Sequence, residues 1–346
     1  GNDTLVDIES ARGSIFNDIL IGSTLANRLD GDLGNDTLIG GVGDDTIIGG
    51  VGADLADYSG LAKTQALTID LDNARISSVD AAYGTDSFSS IEVILGSKGN
   101  DTFLGAAAGY TLDGGAGAAN AVDYSSATQA LKVILANGDN EGRVDYNAIA
   151  IQGLVHIQNV TGGSGKDSLT GNNEDNVLSG GSGDDLLAGR EGNDTLIGGN
   201  DIDTADYSSV NSNLTAKLAD NLIYGGGDVG TDVVQEVENV TGGRGNDLIQ
   251  GDAQANVLLG GLGNDNLQGL GGNDVLNGED GFDVVTYEEL SGGNSLTVNL
   301  GVASSVAVSA SGVDTLFAVE SIVGGAGNDV FNDLVDGVAI NGAGGT

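Results

Sequence analysis

Residues 31–54 repeat one nine-residue unit without interruption: Gly31-Asp32-Leu33-Gly34-Asn35-Asp36-Thr37-Leu38-Ile39, Gly40-Gly41-Val42-Gly43-Asp44-Asp45-Thr46-Ile47-Ile48 and Gly49-Gly50-Val51-Gly52-Ala53-Asp54. The unit is Gly-Gly-x-Gly-x-Asp-x-U-x, where U is a large apolar residue. Glycine supplies backbone conformations that other residues avoid, so the first six residues predict a tight turn. Residues seven to nine predict a short strand with U pointing inward, as at Leu38, Ile47, Leu187, Leu196 and Leu267.

This nonapeptide resembles the calcium-binding repeat of RTX (repeats-in-toxin) proteins, and its character is closest to the arrays of bacterial surface layers and adhesins. The resemblance covers about half of the chain. It implies an all-β fold, a parallel β-roll with two nonapeptides per coil, interrupted by longer-strand inserts. It also implies secretion through a type I system and folding outside the cell at millimolar calcium.

The composition excludes several classes of protein. The chain has 346 residues, 61 of them Gly, with no Pro, Cys, Met or Trp and only 4% aromatic residues, so it lacks the material of a conventional large core. A net charge of −40, from 51 acidic and 11 basic residues, disfavours nucleic acid and other polyanions as partners. Because the acids recur at fixed positions, the sequence predicts a hard cation as the ligand.

The sequence also indicates where the protein works. No apolar stretch approaches the roughly 20 residues of a membrane helix, so no transmembrane segment is predicted. The absence of Cys agrees with an extracellular protein that is not held by disulfides. Because no signal peptide and no recognisable C-terminal secretion signal are present, we expect the sequence to be part of a longer protein.

The nonapeptides belong to a larger module. A Gly-x-Asp element ending in Ile/Val-Glu precedes a nonapeptide run, and an insert that opens on Tyr follows it. The landmark residues that end this element are Glu9, Glu92, Gln158, Glu238 and Glu320. The predicted boundaries are 1–7 (end of a preceding module), 8–90 (module 1, nonapeptides 13–57 and insert 58–90), 91–156 (module 2, short and degenerate), 157–236 (module 3, nonapeptides 162–206), 237–318 (module 4, nonapeptides 242–286) and 319–346 (start of module 5).

The distance from landmark to tyrosine indicates how the repeats stack. It is 49 residues from Glu9 to Tyr58 but only 32 from Glu92 to Tyr124. The deficit of 17 residues is two nonapeptides less one residue. A loss of repeats in pairs is what a solenoid with two nonapeptides per coil requires, because losing one repeat would put every later turn on the wrong side.

The sixth residue of each nonapeptide is the predicted calcium ligand. The three long runs share the order Asp, Asn, Asp, Asp, Asp at this position: Asp18, Asn27, Asp36, Asp45, Asp54, Asp167, Asn176, Asp185, Asp194, Asp203, Asp247, Asn256, Asp265, Asp274 and Asp283. In module 2, Asp101 is followed by Tyr110 and Ala119 at the next two sixth positions. This run is therefore predicted to bind calcium poorly or not at all.

With two repeats per coil, sixth residues two repeats apart lie one above the other. Calcium takes six to eight oxygen ligands, and two side chains with four backbone carbonyls supply six. This predicts about nine Ca²⁺ sites, weaker where Asn takes part, at the pairs Asp18–Asp36, Asn27–Asp45, Asp36–Asp54, Asp167–Asp185, Asn176–Asp194, Asp185–Asp203, Asp247–Asp265, Asn256–Asp274 and Asp265–Asp283. Without the ion the paired carboxylates repel and the core strip is thin, so the chain is predicted to be disordered until calcium binds.

The sequence leaves alternatives open for the inserts and the tyrosines. Period-two alternation, as in residues 67–71, predicts either longer strands in wider coils or a small side sheet. The tyrosines are interpreted as plugs that close each run, with sugar stacking as the alternative: Tyr58, Tyr124, Tyr207 and Tyr287. The only histidine, His156, is assigned to an ordinary strand position, and neither a zinc site nor a Ser-His-Asp triad is indicated.

These features together predict a non-enzymatic, extracellular structural protein that folds on binding Ca²⁺ and serves in a bacterial cell-surface or matrix assembly, such as a surface layer, filament or adhesin. Self-association or contact with other cell-surface components is expected, since solenoids offer open ends and flat flanks. The alternative is the non-catalytic C-terminal RTX region of a type I secreted enzyme or toxin, for example a hydrolase or an alginate-epimerase-like protein.

Overall fold

The computed structural model describes residues 8–137, 142–146, 149–290, 294–301, 304–332 and 337–343. The predicted end of a preceding module, residues 1–7, lies outside them. The described chain is nearly all β-structure, with one-turn 3-10 helices at Ala81–Tyr83 and Leu218–Asp220. Neither of these helices has the length and apolar character needed to cross a membrane. The chain forms two compact units, Gly1–Asp167 and Ser168–Thr346.

The strands of the first unit are short because each nonapeptide contributes only its last three residues, or a few more where the next glycines continue the strand. They are β1 Ser10–Arg12, β2 Ile19–Ile21, β3 Arg28–Leu33, β4 Thr37–Ile39, β5 Thr46–Val51, β6 Leu55–Asp57, β7 Leu67–Asp70, β8 Arg75–Ser78, β9 Thr85–Ser89, β10 Val93–Leu95, β11 Thr102–Leu104, β12 Tyr110–Asp113, β13 Ala121–Asp123, β14 Leu131–Ile134, β15 Gly142–Tyr146, β16 Ile149–Val155 and β17 Asn159–Thr161.

The second unit repeats this pattern. Its strands are β18 Ser168–Thr170, β19 Val177–Ser182, β20 Leu186–Ala188, β21 Thr195–Asn200, β22 Thr204–Asp206, β23 Leu214–Lys217, β24 Leu222–Gly225, β25 Thr231–Gln235, β26 Asn239–Thr241, β27 Leu248–Gln250, β28 Val257–Gly263, β29 Asn266–Gln268, β30 Val275–Gly281, β31 Val284–Thr286, β32 Thr297–Asn299, β33 Ser305–Val308, β34 Val313–Phe317, β35 Ser321–Val323, β36 Val330–Asn332 and β37 Ala339–Asn341.

Nonapeptide strands pair in parallel with the strand two repeats later. In the first unit β3 pairs with β5 in the register Arg28↔Thr46, and β4 pairs with β6 in the register Thr37↔Leu55. Alternate repeats therefore build two different sheets, and two repeats make one coil. In the second unit the same parallel register joins β19 to β21 and β27 to β29. The fold is the β-roll that the sequence predicts.

The core is a strip of stacked apolar residues between the two sheets of each unit. In one sheet of the first unit Leu29, Ile47 and Phe88 stack, with 2%, 1% and 4% of their surface exposed. In the other sheet Leu38 and Ile94 flank Ala56 and are equally buried. Each coil buries only about two such side chains. Burial of one contributes roughly 1.5–3 kcal/mol to the free energy of unfolding, so the apolar strip stabilises each coil only weakly.

Each insert is a three-stranded segment built into the wall of the roll. In the first, β9 continues β5 in parallel, β8 runs antiparallel to β9, and β7 runs antiparallel to β8 and then pairs in parallel with β11. In the second unit β25, β24 and β23 lie in the same way between β21 and β27. The sequence left open whether the inserts form longer strands in wider coils or a small side sheet. In the structure, each insert extends the wall of the roll by an antiparallel hairpin.

Candidate metal centres

Sixth-position side chains stack one coil above another to form what we call the carboxylate ladder. The backbone N–H of Asp18 donates to Oδ1 of Asp36 at 2.8 Å, and that of Asp36 donates to Oδ1 of Asp54 at 2.8 Å. On the other flank the N–H of Asn27 donates to Oδ1 of Asp45 at 2.7 Å. The structure thus brings together the three predicted pairs of module 1, whose role as calcium ligands stays a prediction.

The second unit carries the same ladder. The same N–H to carboxylate contact, at 2.7 to 2.9 Å, joins Asn176–Asp194, Asp185–Asp203, Asp247–Asp265, Asn256–Asp274 and Asp265–Asp283. The remaining predicted pair, Asp167 with Asp185, has one member in each unit and stays a prediction.

The ladder continues past the nonapeptides into the module landmarks, which sequence reasoning did not foresee. Asp45 donates its N–H to Oδ1 of Asp86, and Asp54 donates its N–H to Oε2 of Glu92, both at 2.9 Å. The signal was present in the recurrence of these acids in each module. The equivalent contacts join Asp194–Asp232, Asp203–Glu238, Asp274–Asp314 and Asp283–Glu320.

The side-chain oxygen that faces its own repeat, Oδ2 in Asp and Oδ1 in Asn, divides the ladder side chains into two classes. At the start of a run it accepts the N–H of the second residue of its own repeat, as Asp18 Oδ2 does from Ser14 at 2.5 Å and Asn27 Oδ1 from Ser23 at 2.6 Å. These oxygens already have a donor. The same contact is made by Ser97 with Asp101, Gly163 with Asp167, Asn172 with Asn176, Gly243 with Asp247 and Asp252 with Asn256.

In the last three repeats of a run the second residue has a left-handed backbone and its N–H does not reach the acid. Asp32 has φ 76° and Gly50 has φ 114°. A residue other than glycine adopts this conformation only at a cost of order 1–3 kcal/mol. The packing of the neighbouring coils must therefore impose it at Asp32. As a result the Oδ2 atoms of several acids are buried without a hydrogen-bond partner in the part of the chain that the structure describes: Asp36, Asp45, Asp54, Asp194, Asp203, Asp265 and Asp283.

These oxygens point at the first residue of their own repeat, where a side chain would not fit. We call the space that is open because this residue is glycine the glycine cradle. A Cβ placed on Gly31 would collide with Oδ2 of Asp36 and would lie 2.5 Å from the carbonyl oxygen of Gly49 in the next coil. Carboxylate and carbonyl oxygens therefore converge on the same point. Such a purely oxygen donor set suits Ca²⁺, which accepts irregular geometry, better than Mg²⁺ or Zn²⁺.

Side chains alone do not make these sites. Within the residues that the structure describes, no group of three or more His, Cys, Asp or Glu side chains lies close enough together to hold a metal ion. The predicted scheme of two carboxylates and four carbonyls takes most of its ligands from the backbone. Calcium bound there would neutralise the buried carboxylates and satisfy the converging carbonyls.

Burial also makes these acids hard to ionise. It raises the pKa of Asp45 to about 6 and that of Asp194 to about 7. It raises the pKa of Asp203 and of Asp265 to about 6. Desolvation disfavours the charged form of a carboxyl group unless an opposite charge lies beside it. Carboxylates in this environment are therefore suited to a cation, which supplies that charge.

The four recurring tyrosines are buried, which agrees with their interpretation as plugs and removes the rings from sugar stacking. Tyr58 is 5% exposed and donates its O–H to Oδ2 of Asp86 at 2.7 Å. The Tyr58 hydroxyl thus satisfies the second oxygen of Asp86, the residue that ends this flank of the ladder. The equivalent contacts are Tyr207 to Asp232, Tyr287 to Asp314 and Tyr124 to Gln152.

The short run, residues 96–123 of module 2, requires two corrections. Asn120 rather than Ala119 takes the sixth position, because its Oδ1 accepts the N–H of Asp101 at 2.9 Å. One inserted residue thus accounts for the deficit of 17 instead of 18. His156 does not lie in a strand: it follows β16 with φ 50°, and its Nδ1 lies 2.8 Å from Oδ1 of Asp113. The chain must turn there to enter the next coil.

Side-chain amides donate to backbone carbonyls in the short run. Nε2 of Gln152 donates to the carbonyl oxygen of Ala107 at 2.8 Å. Nδ2 of Asn120 donates to the carbonyl oxygen of His156 at 3.0 Å. Both the His156 oxygen and this Nδ2 lie beside Gly114, so the place that a cation would take in a long run has an N–H donor here, which supports the prediction of poor calcium binding.

Comparison with known proteins agrees with the ladder. A family model of the RTX calcium-binding nonapeptide repeat (4 copies) matches residues 12–47, 21–56, 159–187, 170–205, 237–267, 250–285 and 319–333. No curated protein sequence matches. Among solved structures, the extracellular lipase LipA from Serratia marcescens is similar at 19% identity and a TM-score of 0.23, covering 92% of this chain and 38% of the lipase chain. The matches in all three long runs show that the chain carries RTX calcium-binding nonapeptide repeats.

Proposed function

We propose that this chain is an extracellular structural repeat protein that folds when it binds Ca²⁺ and serves in a bacterial cell-surface or matrix assembly. The observation that carries the proposal is the carboxylate ladder, whose buried unpartnered oxygens recur in both units. RTX repeats bind Ca²⁺, and proteins that carry them are typically secreted by type I systems. The repeats themselves are calcium-binding and not catalytic, so the chain is proposed to be non-enzymatic.

The dependence of folding on calcium follows from the cost of the ladder. Two carboxylates about 4 Å apart repel by about 4 kcal/mol at an effective dielectric of 20. A buried carboxylate oxygen without a donor adds a desolvation penalty of about 1–3 kcal/mol or more. The thin apolar strip does not offset several such terms, so the cation that removes them is also what folds the chain.

Assembly is supported by the form of the solenoid itself, because the stacked coils of each unit present flat flanks on which another chain can pack.

The test is a calcium titration of the chain followed by circular dichroism and light scattering. We expect β-structure to form with calcium and ordered assembly to follow. Folding to a species that stays monomeric at millimolar calcium would instead favour the alternative role, an export and folding region of a secreted enzyme or toxin. Native-like β-structure in excess chelator would contradict calcium-dependent folding itself.

A further inference from the structure

The last acid of each long run meets a glutamate that lies outside the nonapeptides. The N–H of Asp54 donates to Oε2 of Glu92 at 2.9 Å, as the N–H of Asp36 donates to Oδ1 of Asp54 inside the run. Glu92 therefore takes the place that the next sixth-position Asp would occupy. We call Glu92, Glu238 and Glu320 the closing glutamates; the other two accept from Asp203 at 2.9 Å and from Asp283 at 2.8 Å.

A backbone carbonyl completes the arrangement two residues before each closing glutamate. Ser90 has a left-handed backbone with φ 50°, which aims its carbonyl oxygen at the glycine cradle of the last repeat. A Cβ placed on Gly49 would collide with this oxygen and lie 2.6 Å from Oδ2 of Asp54. The same collisions occur at Gly198, with Glu236 O and Asp203 Oδ2, and at Gly278, with Ala318 O and Asp283 Oδ2.

The acids at these three places are fully buried. Asp54, Asp203 and Asp283 are each 0% exposed, and their Oδ2 atoms have no hydrogen-bond partner among the described residues. An unpartnered carboxylate oxygen, a second carboxylate and a carbonyl thus meet at each place, with oxygen as the only donor element. We propose that each closing glutamate completes one further Ca²⁺ site, so that the ions extend one coil beyond the nonapeptides. This inference rests on the proposed calcium function.

Module 2 supplies a natural control, because both acids are amides there. The N–H of Asn120 donates to Oε1 of Gln158 at 2.9 Å, which reproduces the contact of Asp54 with Glu92. His156 has φ 50° and stands where Ser90 stands in module 1. Its carbonyl oxygen accepts Nδ2 of Asn120 at 3.0 Å, so an N–H fills the cradle. The same left-handed backbone therefore occurs in module 1, where the buried oxygens lack an N–H donor, and in module 2, where an amide supplies one.

The test compares Glu238→Gln with Asp220→Asn in the full chain. Both changes remove one negative charge, but Asp220 is exposed and lies outside the proposed site. Bound Ca²⁺ is counted by equilibrium dialysis at a concentration that just saturates the unaltered chain, with circular dichroism to verify folding. We expect Glu238→Gln to bind one ion fewer, with that site weakened at least about tenfold because ligand charge sets affinity. Asp220→Asn should bind the full number.

The reverse change is the second arm and does not depend on the first variant folding. Asn120→Asp together with Gln158→Glu should create a site in module 2 and add one ion per chain. An unchanged ion count in folded Glu238→Gln, or no gain in the double variant, overturns the inference while leaving calcium binding by the nonapeptides intact. Absence of bound Ca²⁺ from the unaltered chain would overturn the proposed function as well, so the two failures are distinguishable.

Discussion

The run at residues 13–57 and the short run at residues 96–123 lie in the same unit and use the same coil, yet they treat their buried oxygens differently. In the first, Oδ2 of Asp54 is buried with no donor among the described residues. In the second, Nδ2 of Asn120 donates to a carbonyl at the equivalent place. The difference supports the proposal that these cradles require positive partial charge, which either a cation or an amide N–H would supply.

The two solutions differ in consequence. An amide donor removes the need for a cation, so the coil should not depend on the calcium concentration. A carboxylate pair costs stability until a cation arrives, because charge repulsion and desolvation oppose the fold. Three acids of module 1 are amides in module 2: Asp54, Asp86 and Glu92 correspond to Asn120, Gln152 and Gln158. We therefore expect calcium dependence to be a property of these few side chains and not of the roll itself.

Removal of calcium by a chelator should have the largest effect of the changes that test this difference between the two runs. We expect excess chelator to abolish most of the β-structure of the chain, measured by circular dichroism. As free calcium is lowered in steps, hydrogen exchange should open β4, β5 and β6 first and β11 and β13 last, because the latter flank amide-filled cradles. Opening of β11 and β13 before β5 would break the proposed equivalence of cation and amide.

Asp54→Ala gives the next largest effect. Asp54 contributes Oδ1 to the contact with Asp36 and Oδ2 to the cradle above it, so its loss removes a ligand from two proposed sites. The calcium concentration at the midpoint of folding should rise at least about tenfold, or ~1.4 kcal/mol. Asp57→Ala is the matched control, since among the described residues that carboxylate accepts only the N–H of Ser59. Equal midpoints for the two variants would contradict the ladder as the calcium site.

How much the sequence predicts is seen in these same residues. The fixed period of nine identifies the β-roll, the inward apolar residue and the stacking of Asp36 on Asp54, because a strict repeat permits only one register. The period says nothing about Glu92 or Asp86, which reach the ladder only after an insert of variable length folds back into the wall. It also misplaces Asn120 by one residue, since a single insertion in a glycine-rich turn leaves the pattern almost unchanged.

The class of each second oxygen was equally hidden from the sequence. Ser14 donates to its acid whereas Asp32 turns away with φ 76°. Both are polar residues at the second position, and the left-handed region tolerates Asp without requiring it. The backbone there is set by the coil below, which is a tertiary effect. Sequence reasoning therefore finds the acids but not which of them lack a donor.

Removal of the tyrosine hydroxyl gives a smaller effect that sharpens the comparison. Tyr58→Phe leaves Asp86 Oδ2 buried without its donor, and a hydrogen bond to a charged group contributes about 1.5–3 kcal/mol. Tyr124→Phe removes a bond to the neutral Gln152, which contributes about 0.5–1.5 kcal/mol. The urea midpoint in saturating calcium should fall further for Tyr58→Phe. A larger loss for Tyr124→Phe would mean that the ring and not the hydroxyl closes the run.

Acidification gives the smallest and most specific effect. Burial raises the pKa of Asp45 to about 6 and that of Asp194 to about 7, whereas an unfolded Asp titrates near 3.9. The folded state then binds more protons than the unfolded state between these values, so the stability of the metal-free fold decreases as pH rises from about 4 to about 7. Metal-free chain should therefore regain β-structure by circular dichroism on titration from pH 7 to about pH 4.5.

The proton here does what the amide does in module 2, since it removes the charge and leaves a hydrogen-bond donor. Asp45→Asn should consequently reduce the pH dependence and raise the β-content of metal-free chain at pH 7. Asp57→Asn changes the net charge equally at a partly exposed position and should leave the pH profile in place. If both variants shift the profile alike, general charge repulsion from the −40 chain explains acid folding and the buried carboxyls do not.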